Sequence, residues 1–142
     1  MMSRVGWLAA ALILILVGCS EGVIREAVGP IQVALAPDVA PIPAGRQILH
    51  VQILTADGTR TRGDAMVTAS LSDEEGNQPL MTMPVATPGA YEVALDVPEE
   101  GQVELTVTVS DGKRSLAVLR YRIEAGSNPK QLSSAVPGMG GG

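Results

Sequence analysis

Aromatic residues are almost missing from this chain of 142 residues. It has no Phe, two Tyr and one Trp, and that Trp (Trp7) lies near the N-terminus. A core without Phe has to be filled by Val, Leu, Ile, Ala and Met. The shortage of aromatic side chains also argues against a protein that stacks on bases or sugars.

Basic residues and cysteine are scarce as well. Beyond residue 18, nine Lys and Arg stand against fifteen Asp and Glu, which gives a net charge of −6 with His50 neutral. A nucleic-acid-binding protein needs a basic surface to neutralise phosphates, so this composition excludes that class. The single cysteine, Cys19, excludes a disulfide framework and any metal site built from several cysteines.

Residues 1–18 have the features of a signal peptide. Arg4 gives a positive start, and residues 5–18 form an uncharged, mostly apolar run of 14 residues. Because a membrane-spanning helix needs about 20 apolar residues, the run fits the hydrophobic region of a signal peptide better. We expect a signal-peptide helix in this segment.

The apolar run ends in Leu16-Val17-Gly18-Cys19, which resembles the lipobox of bacterial lipoproteins. The resemblance implies that the leader is removed before Cys19 and that the Cys19 thiolate accepts a diacylglyceryl group. Two or three acyl chains, palmitate among them, would then anchor the chain on a membrane. The alternatives are an ordinary secretory signal with an incidental cysteine, or an uncleaved anchor.

The residue after the cysteine bears on the location of the protein. Ser20 resembles the outer-membrane type of lipoprotein, since inner-membrane retention in many Gram-negative lipoproteins goes with Asp at this position. The resemblance implies a lipid anchor in the bacterial cell envelope. In a Gram-negative host it implies the inner leaflet of the outer membrane, facing the periplasm.

From residue 30 to 125, short segments that alternate apolar and polar residues are separated by turn signals. Residues 103–109 alternate over their whole length, and Asp111-Gly112 is a strong hairpin signal directly after them. Seven such segments predict an all-β fold, an immunoglobulin-like antiparallel β-sandwich, with a closed barrel as the alternative. The expected core is Val33, Leu35, Leu49, Val51, Ile53, Val67, Leu71, Tyr91, Val93, Leu95, Val103, Leu105, Val107, Val109, Leu119, Tyr121 and Ile123.

The pattern divides the chain into four parts. We expect a lipoprotein signal peptide over 1–18, a lipidated tether over 19–29, the sandwich over 30–125 and a tail over 126–142. The tail is rich in Gly, Ser and Pro, and it has too little apolar surface to offset the entropy of ordering it. We therefore expect the tail to be disordered.

The sandwich segment resembles the YtkA-like and FixH-like immunoglobulin-type extracytoplasmic domains. The likeness is carried by the segments 63–67, 81–84, 89–91 and 101–105, whose order and spacing are similar to those families. It implies the same fold and, for the copper-handling relatives, Cu(I) bound by Met ligands. This chain departs from them, because Val103 stands near the place of their tryptophan and their His and additional Met residues are missing.

Four side chains are candidates for a Cu(I) site, because thioether and imidazole groups suit this ion. Met81 and Met83 lie two residues apart and point to one face of a strand, and Met66 and His50 are the further candidates. The alternative, which we favour, is that the methionines fill gaps in a core without Phe. His50 alternates with Leu49, Val51 and Ile53, so we expect it to face solvent without a catalytic role.

No other segment predicts a reactive site. The acidic segment 73–77 lacks the later Glu and the full length of an EF-hand calcium loop, and it suits a solvated turn. Phosphate-loop, nucleophile-elbow and zinc motifs are missing. We therefore expect a non-enzymatic, lipid-anchored module without a cofactor that binds or helps assemble an envelope protein partner. The alternative is a YtkA-like Cu(I)-handling protein.

Overall fold

The computed structural model describes residues 22–73 and 76–137, and their regular structure is entirely β. Most of the strands have an alternating or β-branched sequence, and each strand ends at or just before a Gly, Pro or Asp turn. The strands are β1 (Ile24–Val28), β2 (Ile31–Pro37), β3 (Gly45–Thr55), β4 (Met66–Asp73), β5 (Gly76–Pro79), β6 (Thr82–Pro84), β7 (Ala90–Val97), β8 (Gln102–Ser110), β9 (Ser115–Glu124) and β10 (Lys130–Ala135).

The strands form two antiparallel sheets of five strands each. The first sheet has the order β1-β2-β3-β7-β6, and the second has the order β10-β9-β8-β4-β5. Without the outermost β1 and β10, these orders are the A-B-E-D and G-F-C-C′ arrangements of immunoglobulin-like domains. The predicted antiparallel sandwich is therefore confirmed.

The core lies between the two sheets and consists almost entirely of aliphatic side chains. Of the expected core residues, all are buried except Tyr91, which is half-buried and packs against the others. Ile42 and Leu116 add further buried side chains from outside the expected set. The absence of Phe is thus compensated by many Val, Leu and Ile side chains rather than by Met.

The sandwich extends beyond the expected 30–125 at both ends. Residues 24–28, expected in the tether, form β1, and residues 130–135, expected in the disordered tail, form β10. The expectation of disorder is wrong for β10 because it pairs along β9, with a bulge between Gln131 and Ser133. Of its flanking residues, Pro129 is buried and Val136 packs against the core.

The two added strands meet at one side of the sandwich, where they bring the edges of the two sheets together. A Cβ placed on Gly29, which follows β1, would lie 2.7 Å from a methyl carbon of Val136, which follows β10. Glu26 in β1 and Gln131 in β10 pair with the inward-facing Val33 and Tyr121. This side is therefore covered by partly polar strands, which explains why hydrophobic alternation alone does not predict them.

The loop between β3 and β4 begins with a turn at Asp57-Gly58, in which the Gly58 N–H donates to the Thr55 carbonyl at 2.8 Å. The Asp57 carboxylate accepts hydrogen bonds from the Thr55 hydroxyl at 2.6 Å and from the Thr59 hydroxyl and backbone N–H at 2.8 and 3.1 Å. These bonds, the one from Thr55 first, lower the pKa of Asp57 to about 2. The carboxylate therefore keeps its partners until the pH falls towards that value.

Candidate functional site on the outer face of the first sheet

The outer face of β6 carries an exposed apolar surface. Met81 and Val85 flank β6 and Met83 lies within it, and their exposed fractions are 64%, 38% and 53%. Backbone hydrogen bonds join Met81 and Val85 to β7, where they align with Ala94 and Ala90. We call Met81, Met83 and Val85 the methionine face.

The orientation of β6 contradicts our preference for methionines that fill the core. Thr82 and Pro84 alternate with the methionine face, and Thr82 turns its hydroxyl oxygen into a buried position without a hydrogen-bond partner among the described residues. Here the strand turns the polar Thr82 inward and large apolar side chains outward, and Pro84 is exposed as well. The core needs no Met at this point because Val93 and Leu95 of β7, the neighbouring strand of the same sheet, already supply buried side chains.

The free edge of β6 is poorly suited to pairing with another strand. The backbone groups of Met81 and Val85 form hydrogen bonds with β7. The backbone groups of the alternate residues, Thr82 and Pro84, therefore point to the free edge of the sheet. Pro84 has no N–H to donate, and a proline at such a position blocks edge-to-edge association. A partner on this surface would therefore contact side chains on the outer face rather than extend the sheet.

His50 lies on the same outer face and stands between two carboxylates. Its Nε2 is 3.1 Å from Asp38 Oδ1, and its Nδ1 is 3.7 Å from Glu92 Oε2. The His50 side chain is 45% exposed, which agrees with the expected solvent-facing position. Sequence spacing did not indicate these carboxylates, because Asp38 comes from the loop after β2 and Glu92 comes from β7.

The structure assembles only part of the expected Cu(I) donor set. Met83 pairs with Glu92, which pairs with His50 in the next strand, so the methionine and the histidine are two strands, or about 10 Å, apart. Met66 lies in β4 of the other sheet, 54% exposed, and is not part of this surface. The donor set that the geometry allows is therefore Met81 and Met83, with His50 as a more distant third group.

Among residues 22–73 and 76–137, no group of three or more His, Cys, Asp or Glu side chains is arranged to hold a metal ion. The acidic segment 73–77 agrees with the expected turn, because the Asp73 carboxylate accepts a hydrogen bond from the Gly76 N–H at 3.2 Å.

A second surface feature, a shallow groove of about 450 Å³, lies on the outer face of the second sheet. It runs beside the bulge of β10, where Leu132 is 41% exposed, and its polar side chains include Ser72, Glu104 and Arg122. Sequence reasoning missed this groove because it depends on β10, a strand that was not expected. Its charges are mixed, and nothing in it selects a ligand.

The two tyrosine hydroxyl groups differ in hydrogen bonding, since one has a partner and the other has none among the described residues. The Tyr91 hydroxyl donates to the Ala65 carbonyl at 2.6 Å, whereas the fully buried Tyr121 hydroxyl has no partner among the described residues. Burial, and then the negative charge of Glu26, raises the pKa of Tyr121, so the group stays neutral.

We expect opposite effects when the two hydroxyl groups are removed. Tyr91→Phe should lower the free energy of unfolding by about 1 kcal/mol, because it leaves the Ala65 carbonyl unpaired. Tyr121→Phe should raise it by roughly 1 kcal/mol, because it removes a buried polar group that gains no hydrogen bond. Urea unfolding followed by circular dichroism measures both. A loss of stability in Tyr121→Phe would show that its hydroxyl is hydrogen-bonded in solution.

Comparisons with known proteins support the fold and leave the function open. No family model matches the sequence, and no curated protein matches it. Among solved structures, the chain is similar to a DUF4426 family protein from Pseudomonas aeruginosa PAO1, with a TM-score of 0.53 and 16% identity, over 79% of this chain and 95% of that one. At this identity the likeness shows a shared β fold, which is compatible with an immunoglobulin-like extracytoplasmic domain.

The expected lipobox and the expected signal peptide lie outside the described residues. Cys19, the expected lipidation site, and the expected signal-peptide helix both precede residue 22. Within the described part of the chain, no helix is long and apolar enough to cross a membrane. The lipid anchor and the resemblance to the YtkA-like and FixH-like domains therefore stay predictions from the sequence.

Proposed function

We propose that this protein is a lipid-anchored extracytoplasmic immunoglobulin-like module, without catalytic activity, that binds a protein partner at the membrane. The observation that carries the proposal is the methionine face. Three large apolar side chains, in β6 and directly beside it, stay exposed although the core of the domain is well filled. Exposed apolar side chains that cluster in this way are typical of interaction sites. Methionine suits such a surface because its flexible, polarizable side chain adapts to a partner.

The proposed location rests on the resemblance of residues 16–19 to a lipobox. Acyl chains on Cys19 would confine the domain to the bacterial cell envelope, in the outer membrane facing the periplasm if the host is Gram-negative. Confinement to a surface raises the effective concentration of a partner in the same membrane. A modest interaction area is therefore enough for a partner that shares the membrane.

Metabolic labelling tests the lipid. We expect the wild-type protein to incorporate alkynyl palmitate and Cys19→Ser to incorporate none, because Cys19 is the single cysteine. Mass spectrometry of the labelled chain should place the modified residue at the mature N-terminus. Equal labelling of Cys19→Ser, or a wild-type protein without label, would contradict the anchor.

Photo-crosslinking in the native membrane tests the partner-binding surface. A benzophenone amino acid at Met83 should give a crosslinked protein adduct. The same group at Met66 serves as the matched control, because Met66 is equally exposed on the opposite sheet at 54% against 53%. Absence of an adduct from Met83, or the same adduct from both positions, would contradict the methionine face as the binding surface.

Cu(I) handling is the second candidate function. It is favoured by the exposure of Met81 and Met83, because side chains that filled the core, as expected for them, could not reach a metal ion in solvent. Both thioether groups are accessible on the same outer face, and thioethers bind soft ions such as Cu(I). Titration against a competing Cu(I) chelator distinguishes the two functions. If wild type and the Met66→Leu control bind Cu(I) below micromolar concentration and Met81→Leu/Met83→Leu does not, copper replaces protein binding as the function of this face.

A further inference from the structure

The loop between β2 and β3, residues 38–44, exposes an apolar surface at one end of the sandwich. Val39 is 51% exposed, and Ala40, Pro41, Pro43 and Ala44 are exposed as well. The loop has one charged residue, Asp38, whose carboxylate lies 3.1 Å from His50 Nε2. Proline is common in turns, so Val39, a large apolar side chain left half exposed, is the residue of this loop that needs an explanation.

The same loop is held firmly in place. Ile42 is 1% exposed and belongs to the core. Its N–H donates to the Ser127 carbonyl at 3.0 Å, and its carbonyl accepts from the Gly126 N–H at 2.7 Å. The Asp38 N–H donates to the Ile48 carbonyl at 3.0 Å. The loop therefore presents its apolar side chains in a fixed arrangement instead of collapsing onto the domain.

The N-terminal chain enters the sandwich directly beside this loop. A Cβ placed on Gly22 would lie 2.9 Å from the Ala40 Cβ and 3.4 Å from Pro37 Cγ, so the backbone of Gly22 packs against the loop. Cys19 precedes Gly22 by three residues, and three extended residues span at most about 11 Å. A lipid on Cys19 would therefore enter the membrane within about 11 Å of this apolar loop.

We propose that loop 38–44 is a membrane-seating surface, which contacts the lipid headgroup and acyl boundary and holds the sandwich upright on the bilayer. The proposal rests on the proposed lipid at Cys19, because a loop of this size binds a membrane only with a second anchor beside it. Its occupant is a lipid surface rather than a protein, because the short chain between Cys19 and Gly22 leaves no room for a partner under the loop.

The charges around the loop indicate which lipid surface it fits. Gly45 pairs with Val97, which places the turn 98–101 and its exposed Glu99 and Glu100 beside the end of the loop. The exposed Arg46 follows Gly45, but it pairs across the strands with the carboxylate-bearing Asp96, so acidic side chains outnumber basic ones here. These carboxylates would be repelled by anionic headgroups. The contact is therefore apolar and is expected to be closer on zwitterionic than on anionic bilayers.

Tryptophan fluorescence tests the contact, since the chain from Cys19 onward has no tryptophan. All described strands lie within residues 22–137, so the chain 19–142 retains the whole sandwich. Its single thiol, on Cys19, is coupled to a maleimide lipid, and the protein is inserted into phosphatidylcholine vesicles with brominated acyl chains. In the Val39→Trp variant, the tryptophan emission should shift to the blue, and bromine should quench most of its intensity.

Lys113→Trp is the matched control, because residue 113 is also exposed but lies in the β8–β9 hairpin at the opposite end of the strands. We expect no shift and no quenching there, and weaker quenching of Val39→Trp when phosphatidylglycerol is added. Equal signals from the two positions, or stronger quenching of Val39→Trp on anionic vesicles, would overturn the proposal. Chemical coupling keeps this result independent of palmitate labelling in cells, so a failed anchor and a failed seating surface are distinguishable.

Discussion

Val107→Asp is expected to abolish folding. Val107 is fully buried in β8, which lies between β9 and β4 in the second sheet, so an aspartate there would place an unpaired charge in the core. An uncompensated buried charge costs about 3–5 kcal/mol, a large part of the 5–15 kcal/mol that stabilises a typical domain. Far-UV circular dichroism with thermal or urea unfolding measures the loss.

Thr106→Asp is the matched control for this prediction. Thr106 is the neighbouring residue in the same strand, it faces outward, and it pairs with Arg120 of β9. Its replacement introduces the same charge opposite a guanidinium and should change the free energy of unfolding by only about 0.5 kcal/mol. If Val107→Asp unfolds at the same urea concentration as Thr106→Asp, Val107 does not point into the core and the assignment of the two faces of β8 is wrong.

Gly89→Ala is expected to give the second large effect. Gly89 has a φ of +84°, and an added Cβ would lie 2.7 Å from the Arg62 carbonyl oxygen and 3.2 Å from the Ile53 carbonyl oxygen. Its own carbonyl accepts from the Ile53 N–H at 2.8 Å, so the turn cannot move away without breaking this bond. We expect the free energy of unfolding to fall by roughly 3 kcal/mol, from backbone strain and the clash together.

Gly101→Ala separates the two contributions. Gly101 has nearly the same backbone conformation, with a φ of +87°, but no atom lies within 4 Å of an added Cβ. It should therefore show the conformational cost alone, about 1 kcal/mol. Urea unfolding of both variants gives the comparison, and equal losses would mean that the contact between Gly89 and the β3–β4 loop is looser in solution than its geometry indicates.

The sandwich and most of its core could be predicted from the sequence because hydrophobic alternation has the period of a β-strand. Val103, Leu105 and Val107 alternate with polar residues, and one face of that pattern is buried in the structure. The β1 segment lacks this signal, since its inward-facing side includes Glu26. Alternation identifies strands that cover the core, and it misses edge strands whose stability comes from pairing with a neighbour.

The exposure of the methionines could not be predicted for a related reason. In residues 81–85, either alternating set could face the core, and apolar content favours Met81, Met83 and Val85. The observed register with β7 instead pairs Thr82 with the buried Val93, which places Thr82 inward, while Pro84 stays exposed. A shift of one residue turns every side chain to the other face, and here the pairing partner decides the register.

The surroundings of His50 depended on tertiary structure in the same way. Its position on a solvent-facing strand surface follows from its alternation with Leu49 and Val51. Its carboxylate neighbours depend on the strand register with Glu92 and on the path of the loop that carries Asp38. Neither the strand register nor the path of the loop can be read from the spacing of residues in the sequence.

The pairing of β1 has a mechanical consequence for a domain held by its N-terminus. Gly22 lies where β1 begins, and β1 is aligned with β2 over five residue pairs, from Ile24 with Leu35 to Val28 with Ile31. A pull on Gly22 along the strand direction would load these pairs together, in shear, rather than open them one after another. The outermost strand would therefore act as a force-bearing clamp, and tension from a membrane anchor would reach the strands behind β1 only after β1 slides free of β2.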